Sequence, residues 1–338
     1  MKKRLLIFLF FITAICQSQS GGGSVYEFLN IPTSARQLAL GGNVYSIEGD
    51  INMLLFNPAS LDKQMRNKVA ANYTSYLAGI SMGSVVYATA IKDGSFMIYG
   101  GVNYLDYGTS PRTDESGNIH GEFKIYDMAI TMGSAYRIDA LNLSVGANLK
   151  LINSLIDTYS SLGIAADLSL MYKNPESLLV ISMVCRNIGT QIKTYDGTRE
   201  KIPFHLALGL SRQLEHVPVK WYVTLDNLQK WNISASNPSN ATYDGSEERI
   251  DEKISFLNNA IRHAIFGAEL FPDKKFSFRV GYNFRRAKEL SIVNKRTFAG
   301  FSYGFGLRLK SLQFNYSRTK FGVNTNTDTF SLLIDLDS

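Results

Sequence analysis

The sequence predicts an all-β protein, a fourteen-stranded antiparallel barrel that crosses an outer membrane. Three observations lead there. Apolar and polar residues alternate with a period of two over runs of about a dozen residues, well beyond the roughly 5–6 residues of an ordinary strand. The connections between these runs are terse and long by turns. The composition carries 18 Tyr and 20 Phe but only 8 Pro, a mix that favours strands joined by short turns.

Taken in order, residues 1–20 read as an export signal that is cleaved off. Met1, Lys2, Lys3 and Arg4 form a basic start, residues 5–15 an apolar core, and Ser18 or Ser20 offers a small residue for cleavage. Ile15 stands where a small residue is wanted before Cys16, which argues against lipidation. Losing the three cations of the leader lowers the formal charge from +6 to about +3, too small a balance to argue for nucleic acid. Cys16 leaves with the leader, so Cys185 is alone and no disulfide framework is available.

Residues 21–67 do not alternate and predict a hatch or plug. After a flexible "GGGS" start, "PTSARQLALGG" predicts a short helix: Pro32 early, Thr33 or Ser34 capping, Leu38 and Leu40 on one face, Gly41 and Gly42 closing it. "NVYSI" suggests a short strand, and Asn57-Pro58-Ala59 a turn. Leu54, Leu55 and Phe56 are too apolar for a periplasmic tail, so the segment is expected inside the lumen.

Residues 68–338 supply the barrel, with strands expected near 68–77, 80–91, 95–107, 123–137, 141–154, 159–172, 177–188, 203–214, 217–228, 261–271, 275–285, 298–309, 311–320 and 327–336. The clearest run sets Leu141, Leu143, Val145, Ala147, Leu149 and Leu151 against Asn142, Ser144, Gly146, Asn148 and Lys150. Another sets Phe276, Phe278, Val280, Tyr282 and Phe284 against Lys275, Ser277, Arg279, Gly281, Asn283 and Arg285. A strand tilted by about 45° needs roughly 9–11 residues to cross the hydrocarbon, and its backbone must be paired all round. The apolar rows are then expected to face lipid, and Lys150, Arg279, Arg285 and Arg308 the lumen, because a midplane cation facing lipid costs roughly 2–4 kcal/mol. Terse connections follow the even strands; long ones at 108–122, 189–202, 229–260 and 286–297 follow odd strands. A soluble β-sandwich would share the period but not the strand lengths or this loop parity.

Little chemistry is visible. His120, His205, His216 and His263 lack ligand spacing, so no metal and no cofactor is expected. His205 reads as a hydrogen-bonded lumenal filler with no partner serine, and no catalytic residue is assigned. Gly304 and Gly306 read as small lumenal residues that make room for the plug. The long loops carry more. Trp231 and Tyr243 sit in polar surroundings, and "EERIDEKISFLNNAIRH" suggests an amphipathic helix with Ile250, Ile254, Leu257 and Ile261 on one stripe. Together with Tyr195 and Arg199 in the preceding outer loop they are the expected partner-binding residues; folding over the barrel mouth is the alternative use of these loops.

"GGGSVYEFLNIPTSARQLALGG", "FNPASLD" and above all "RNIGTQIKTYDGTREKIPFHLALGLSRQLEHVPV" resemble the PorQ family of Bacteroidota type IX secretion proteins, relatives of PorV within the FadL-like channel superfamily. The likeness spans the mature chain. It implies a fourteen-stranded barrel with an N-terminal hatch, in which Asn57, Pro58 and Ala59 form a structural hatch motif. It also implies an outer-membrane anchor that tethers a PorZ-like surface protein in a complex with the sortase PorU and with PorV, where cargo is joined to lipopolysaccharide. Outer-membrane lipid, and lipopolysaccharide itself, are the implied lipid partners. The sortase chemistry would belong to a partner. The last residues, "LLIDLDS", depart from the aromatic ending of many such barrels. The alternative function is a FadL-like channel for hydrophobic small molecules.

Overall fold

The long alternating runs are strands, and they close on themselves. The structure, a computed structural model, describes residues 24–76, 79–91, 96–234, 242–243, 249–250, 254–291, 297–322 and 325–337. The expected export signal, with Cys16, lies outside the described residues. The strands are β1 (Lys68–Ser75), β2 (Ser81–Ile91), β3 (Phe96–Thr113), β4 (Ile119–Ile138), β5 (Leu143–Ile156), β6 (Tyr159–Asn174), β7 (Leu179–Lys193), β8 (His205–Gln213), β9 (Val219–Leu225), a small pair β10 (Thr242–Tyr243) and β11 (Arg249–Ile250), then β12 (Ala264–Leu270), β13 (Phe276–Asn283), β14 (Phe301–Arg308), β15 (Leu312–Lys320) and β16 (Asn326–Asp335). Apart from the β10–β11 pair, each strand bonds antiparallel to its neighbours, β12 follows β9, and β1 pairs with β16, giving a closed barrel of fourteen strands. No free sheet edge is left in it.

The rows point as the alternation predicts. Leu149 is 71% exposed and Lys150 beside it 4%, which fixes the apolar row outside. Phe276, Phe278, Tyr282, Leu307, Phe330 and Leu332 continue that exterior around the other side of the barrel. Phe305 on β14 sits among Phe276, Phe314 and Tyr316 with ring centroids 5.5–6.2 Å apart. An apolar, aromatic surface of this extent is not one that water supports. With neighbouring strands hydrogen-bonded all the way round a closed wall, the architecture is that of an outer-membrane β-barrel.

Of the expected lumenal cations, Lys150 and Arg279 are buried inside. Arg308 is exposed where β14 ends, and Arg285 belongs to a helix rather than a strand. Arg318 and Lys320 depart from the expectation more sharply, because they lie on the outward row of β15. Both sit at its loop end, where water and head groups reach. There Arg318 grips Asp328 through two bonds of 2.8 and 2.9 Å, and Lys320 lies 5.7 Å from the Phe298 ring.

The wall is uneven in height. β3 to β7 run 14–20 residues, whereas β8, β9 and β12 to β14 run 7–9. The expected long loop at 108–122 is instead the tall continuation of β3 and β4. Its tip is a turn in which Asp114 Oδ1 accepts from the amides of Ser116 and Asn118. Alternation fades there because both faces of the hairpin are exposed.

Residues 24–67 lie within the barrel. Helix α1 (Ala35–Ala39) starts at Ser34, whose side chain accepts from the Gln37 amide, and Gly41 and Gly42 follow with φ of 109° and 118°. Four 3-10 turns complete the segment: Glu27–Asn30, Ile51–Leu55, Pro58–Ser60 and Lys63–Met65. The expected strand in "NVYSI" is absent: residues 43–47 join no ladder, since the neighbouring wall is already paired. Leu40, Tyr45, Ile47, Leu54 and Phe56 are almost fully buried against Val86, Tyr99, Val184 and Ile265 of the wall. The lumenal rows are therefore polar with apolar patches where this segment rests.

Two short helices serve the loop end, α2 (Phe256–Arg262) and α3 (Phe284–Glu289). The amphipathic helix expected from residue 247 onward is shorter than its pattern. Ser255 caps α2, and Ile250 belongs to β11, which pairs back onto β10; residues 251–253 lie outside the described residues.

Candidate functional site

The inner face of the wall holds the N-terminal segment by close backbone approach and by buried charge. A Cβ on Gly281 would strike Leu40 and Gly41, and one on Gly146 would strike Pro58 and Ala59. At Gly304 it would lie 2.8 Å from Ala39 Cβ. The lumenal role expected of Gly304 holds there, while Gly306 instead makes room for Arg279 and Asn315. The Ala35 amide donates to Ser331 Oγ at 2.9 Å, and Ser302 Oγ donates to the Ala39 carbonyl at 3.2 Å.

Asn57, Pro58 and Ala59 form one of these attachments. Pro58 opens a 3-10 turn, a position where a missing N–H costs nothing. Asn57 Nδ2 donates to the Tyr45 carbonyl at 2.7 Å, tying two parts of the segment together. The Ala59 amide donates to Ser169 Oγ on β6 at 2.8 Å.

Charged groups supply the rest. Glu269 on β12 accepts from Arg36 (2.8 Å), Arg279 (2.7 Å) and Tyr222 (2.9 Å), and all four side chains are buried. Lys150 pairs with Asp167 at 2.7 Å. Arg186 donates to the Leu29 carbonyl at 2.7 Å and lies 4.5 Å from the Phe56 ring. His205 is the expected hydrogen-bonded filler, 2.8 Å from Asp226 and 3.1 Å from the Tyr45 hydroxyl. Chemically, this set of partners binds a segment in place.

Each end keeps a cleft. The turn end has one of about 520 Å³ lined by Glu48, Asp62, Lys173 and Lys220. Burial alone would raise the Glu48 carboxyl, but Lys220 at 2.6 Å and Lys173 at 3.4 Å hold it below the usual range. The loop end has a cavity of about 340 Å³ between the N-terminal segment, α3 and the mouth of the wall.

The four expected partner-binding residues lie at the loop end but do different things. Trp231 is exposed and stacks with Phe256 (4.8 Å) and His263 (5.5 Å). His263 bridges the carbonyls of Asp226 and Trp231. Tyr195 turns inward: its hydroxyl donates to Ser154, and its ring packs against the cluster around Tyr26 and Phe28. Arg199 is exposed in the loop between β7 and β8. Tyr243 lies in β10, and its side chain falls outside what is described. Sequence reasoning missed Phe256 and placed Leu257 only on a helix stripe; they are 75% and 68% exposed and complete an apolar shelf with Trp231. It also missed Arg36 and Glu269, whose partnership spans the chain and leaves no local signal. Among the described residues no group of His, Cys, Asp and Glu has the arrangement of a metal site.

No family model matches the chain, and no curated protein matches it. Among solved structures it is similar to a deltaS2 mutant of the TodX monoaromatic hydrocarbon channel, with TM-score 0.48 and 13% identity over 90% of this chain and 98% of that one. It is also similar to CdiB from Acinetobacter baumannii, with TM-score 0.34 and 10% identity over 79% and 59% of the two chains. A third likeness is to LpxR from Salmonella typhimurium, with TM-score 0.31 and 7% identity over 79% and 99%.

Proposed function

We propose that this outer-membrane barrel is an anchor that docks surface partners for a type IX secretion system, as its resemblance to the PorQ family implies. The partner would be a PorZ-like surface protein, held in a complex with PorU and PorV. The observation that carries the reading is the shelf of Trp231, Phe256 and Leu257 at the loop end, left open to solvent. Exposed aromatic residues backed by a rigid frame are what binding hot spots are made of, and the pairing of Trp231 with His263 and Asn259 supplies that frame. The occupied lumen agrees with an anchor, since a scaffold needs no path through its middle.

The test is affinity isolation of the detergent-solubilised barrel from cells that carry the secretion system. The expected result is that Trp231→Ala with Phe256→Ala lowers recovery of the surface partner more than tenfold while the barrel stays inserted and heat-modifiable. Removing residues 236–252 is expected to release the partner into the medium. Retention of every partner by both variants would favour the second reading, a FadL-like channel for hydrophobic small molecules. That reading draws on the loop-end cavity, whose wall includes Ile31, Leu38, Leu290 and Phe321.

A further inference from the structure

The loop-end cavity contains a cation that no carboxylate among the described residues pairs with. Arg286 follows the Asn283 cap of α3, and its guanidinium lines the cavity 4.6 Å from the Phe321 ring. Its Nη1 is shut off from solvent and donates to no acceptor among the described residues. The other charges on the lining are accounted for. Arg285 pairs with Glu289 and His205 with Asp226, and Arg262 bonds Asn258. Glu27 accepts from Ser24. Burial pushes the Arg286 guanidinium down to about 10; Tyr76 opposes that shift and Arg285 adds to it. A buried charge without a partner is a standing cost that an incoming anion removes.

The rest of the lining narrows the ligand. Asn43 Oδ1 and His205 Nδ1 also lack partners, and Asn30, Asn227 and Asp226 add carboxamide and carboxylate groups that suit hydroxyls. Tyr76 and Phe321 meet edge to face at 5.7 Å and offer ring surface for C–H groups. A simple alkyl chain would waste these polar groups. A guanidinium fork suits phosphate in particular, and about 340 Å³ lies within the range of small-ligand sites.

We propose that the loop-end cavity is a binding site for a phosphorylated sugar, with Arg286 on the phosphate and Asn43 and Asp226 on the hydroxyls. The same chemistry arrives either as a free sugar phosphate or as a lipid head group, and two arms separate them. In the first, the full barrel in detergent is titrated with glucose 1-phosphate by calorimetry. In the second, the barrel is placed in nanodiscs with and without monophosphoryl lipid A and its melting temperature is read. Saturable binding in the first arm, or a lipid A-dependent melting shift in the second, is expected to weaken at least tenfold or vanish in Arg286→Gln. Arg286→Lys is expected to retain part of it, and unphosphorylated glucose to bind at least tenfold more weakly. A response in the first arm assigns a soluble ligand, and one confined to the second assigns a lipid head group. Asn43→Leu provides a second variant should Arg286→Gln fail to insert. Identical responses of wild type and variant in both arms would overturn the assignment.

Discussion

Arg36 and Glu269 meet at 2.8 Å across the lumen, one from the N-terminal segment and the other from β12. Both are buried, so the pair joins plug-like segment to wall where water does not screen it. Removing one partner of a buried pair typically costs about 3–5 kcal/mol because the other charge is stranded. Here Glu269→Gln would strand two arginines, Arg36 and Arg279. We expect the variant to lose its heat-modifiable folded form on gels at a clearly lower temperature than wild type. Unchanged thermal behaviour would mean that the segment is held without this pair.

The glycine contacts predict a different failure, one of space. Gly281 faces the Leu40–Gly41 backbone, where a methyl group has no room. Overpacking of this kind costs about 1–3 kcal/mol when neighbours can shift, and here the neighbour is main chain. Gly281→Ala is therefore expected to leave the wall closed while loosening residues 24–67, read as faster proteolysis of that segment and larger ion conductance in planar bilayers. Gly100→Ala is the control. Its Cβ would meet only the Thr131 carbonyl at 3.8 Å, so neither readout should move.

How legible was this in the sequence? The wall was, because a bilayer imposes one rule on every crossing strand: Leu149 out, Lys150 in. The rule stops where the bilayer stops. The tall hairpin of β3 and β4 is wet on both faces at its tip, so its extra residues resembled a loop. The stripe of Ile250, Ile254, Leu257 and Ile261 fitted one helix, but only Leu257 and Ile261 lie in α2, because Ser255 caps the helix there and Ile250 pairs back onto Thr242. The short helix at Ser34 was readable from its cap and its glycines. The partners of Arg36 and Arg186 were not, since they lie 233 residues away at Glu269 and 157 away at Leu29. Trp231 stood out as an aromatic in polar surroundings; Phe256, which shares its shelf, was hidden inside a helical pattern.

Acid should act on the turn end through Glu48. Its carboxyl binds Lys220 and Lys173 and titrates below its ordinary value of 4.5. A depressed folded-state value means that the unfolded chain takes up the proton more readily. The contribution of Glu48 to stability is therefore complete above pH 4.5 and is lost as the pH falls through the depressed value. Wild type is expected to lose thermal stability on acidification across that window more steeply than Glu48→Gln, which has no such proton to gain. Above it, the variant should be the less stable of the two, because Lys173 and Lys220 lose their carboxylate. The measurement is the unfolding temperature of the detergent-solubilised barrel at a series of pH values. Parallel profiles for the two proteins would show that the ion cluster at this mouth contributes nothing to holding residue 48 against the wall.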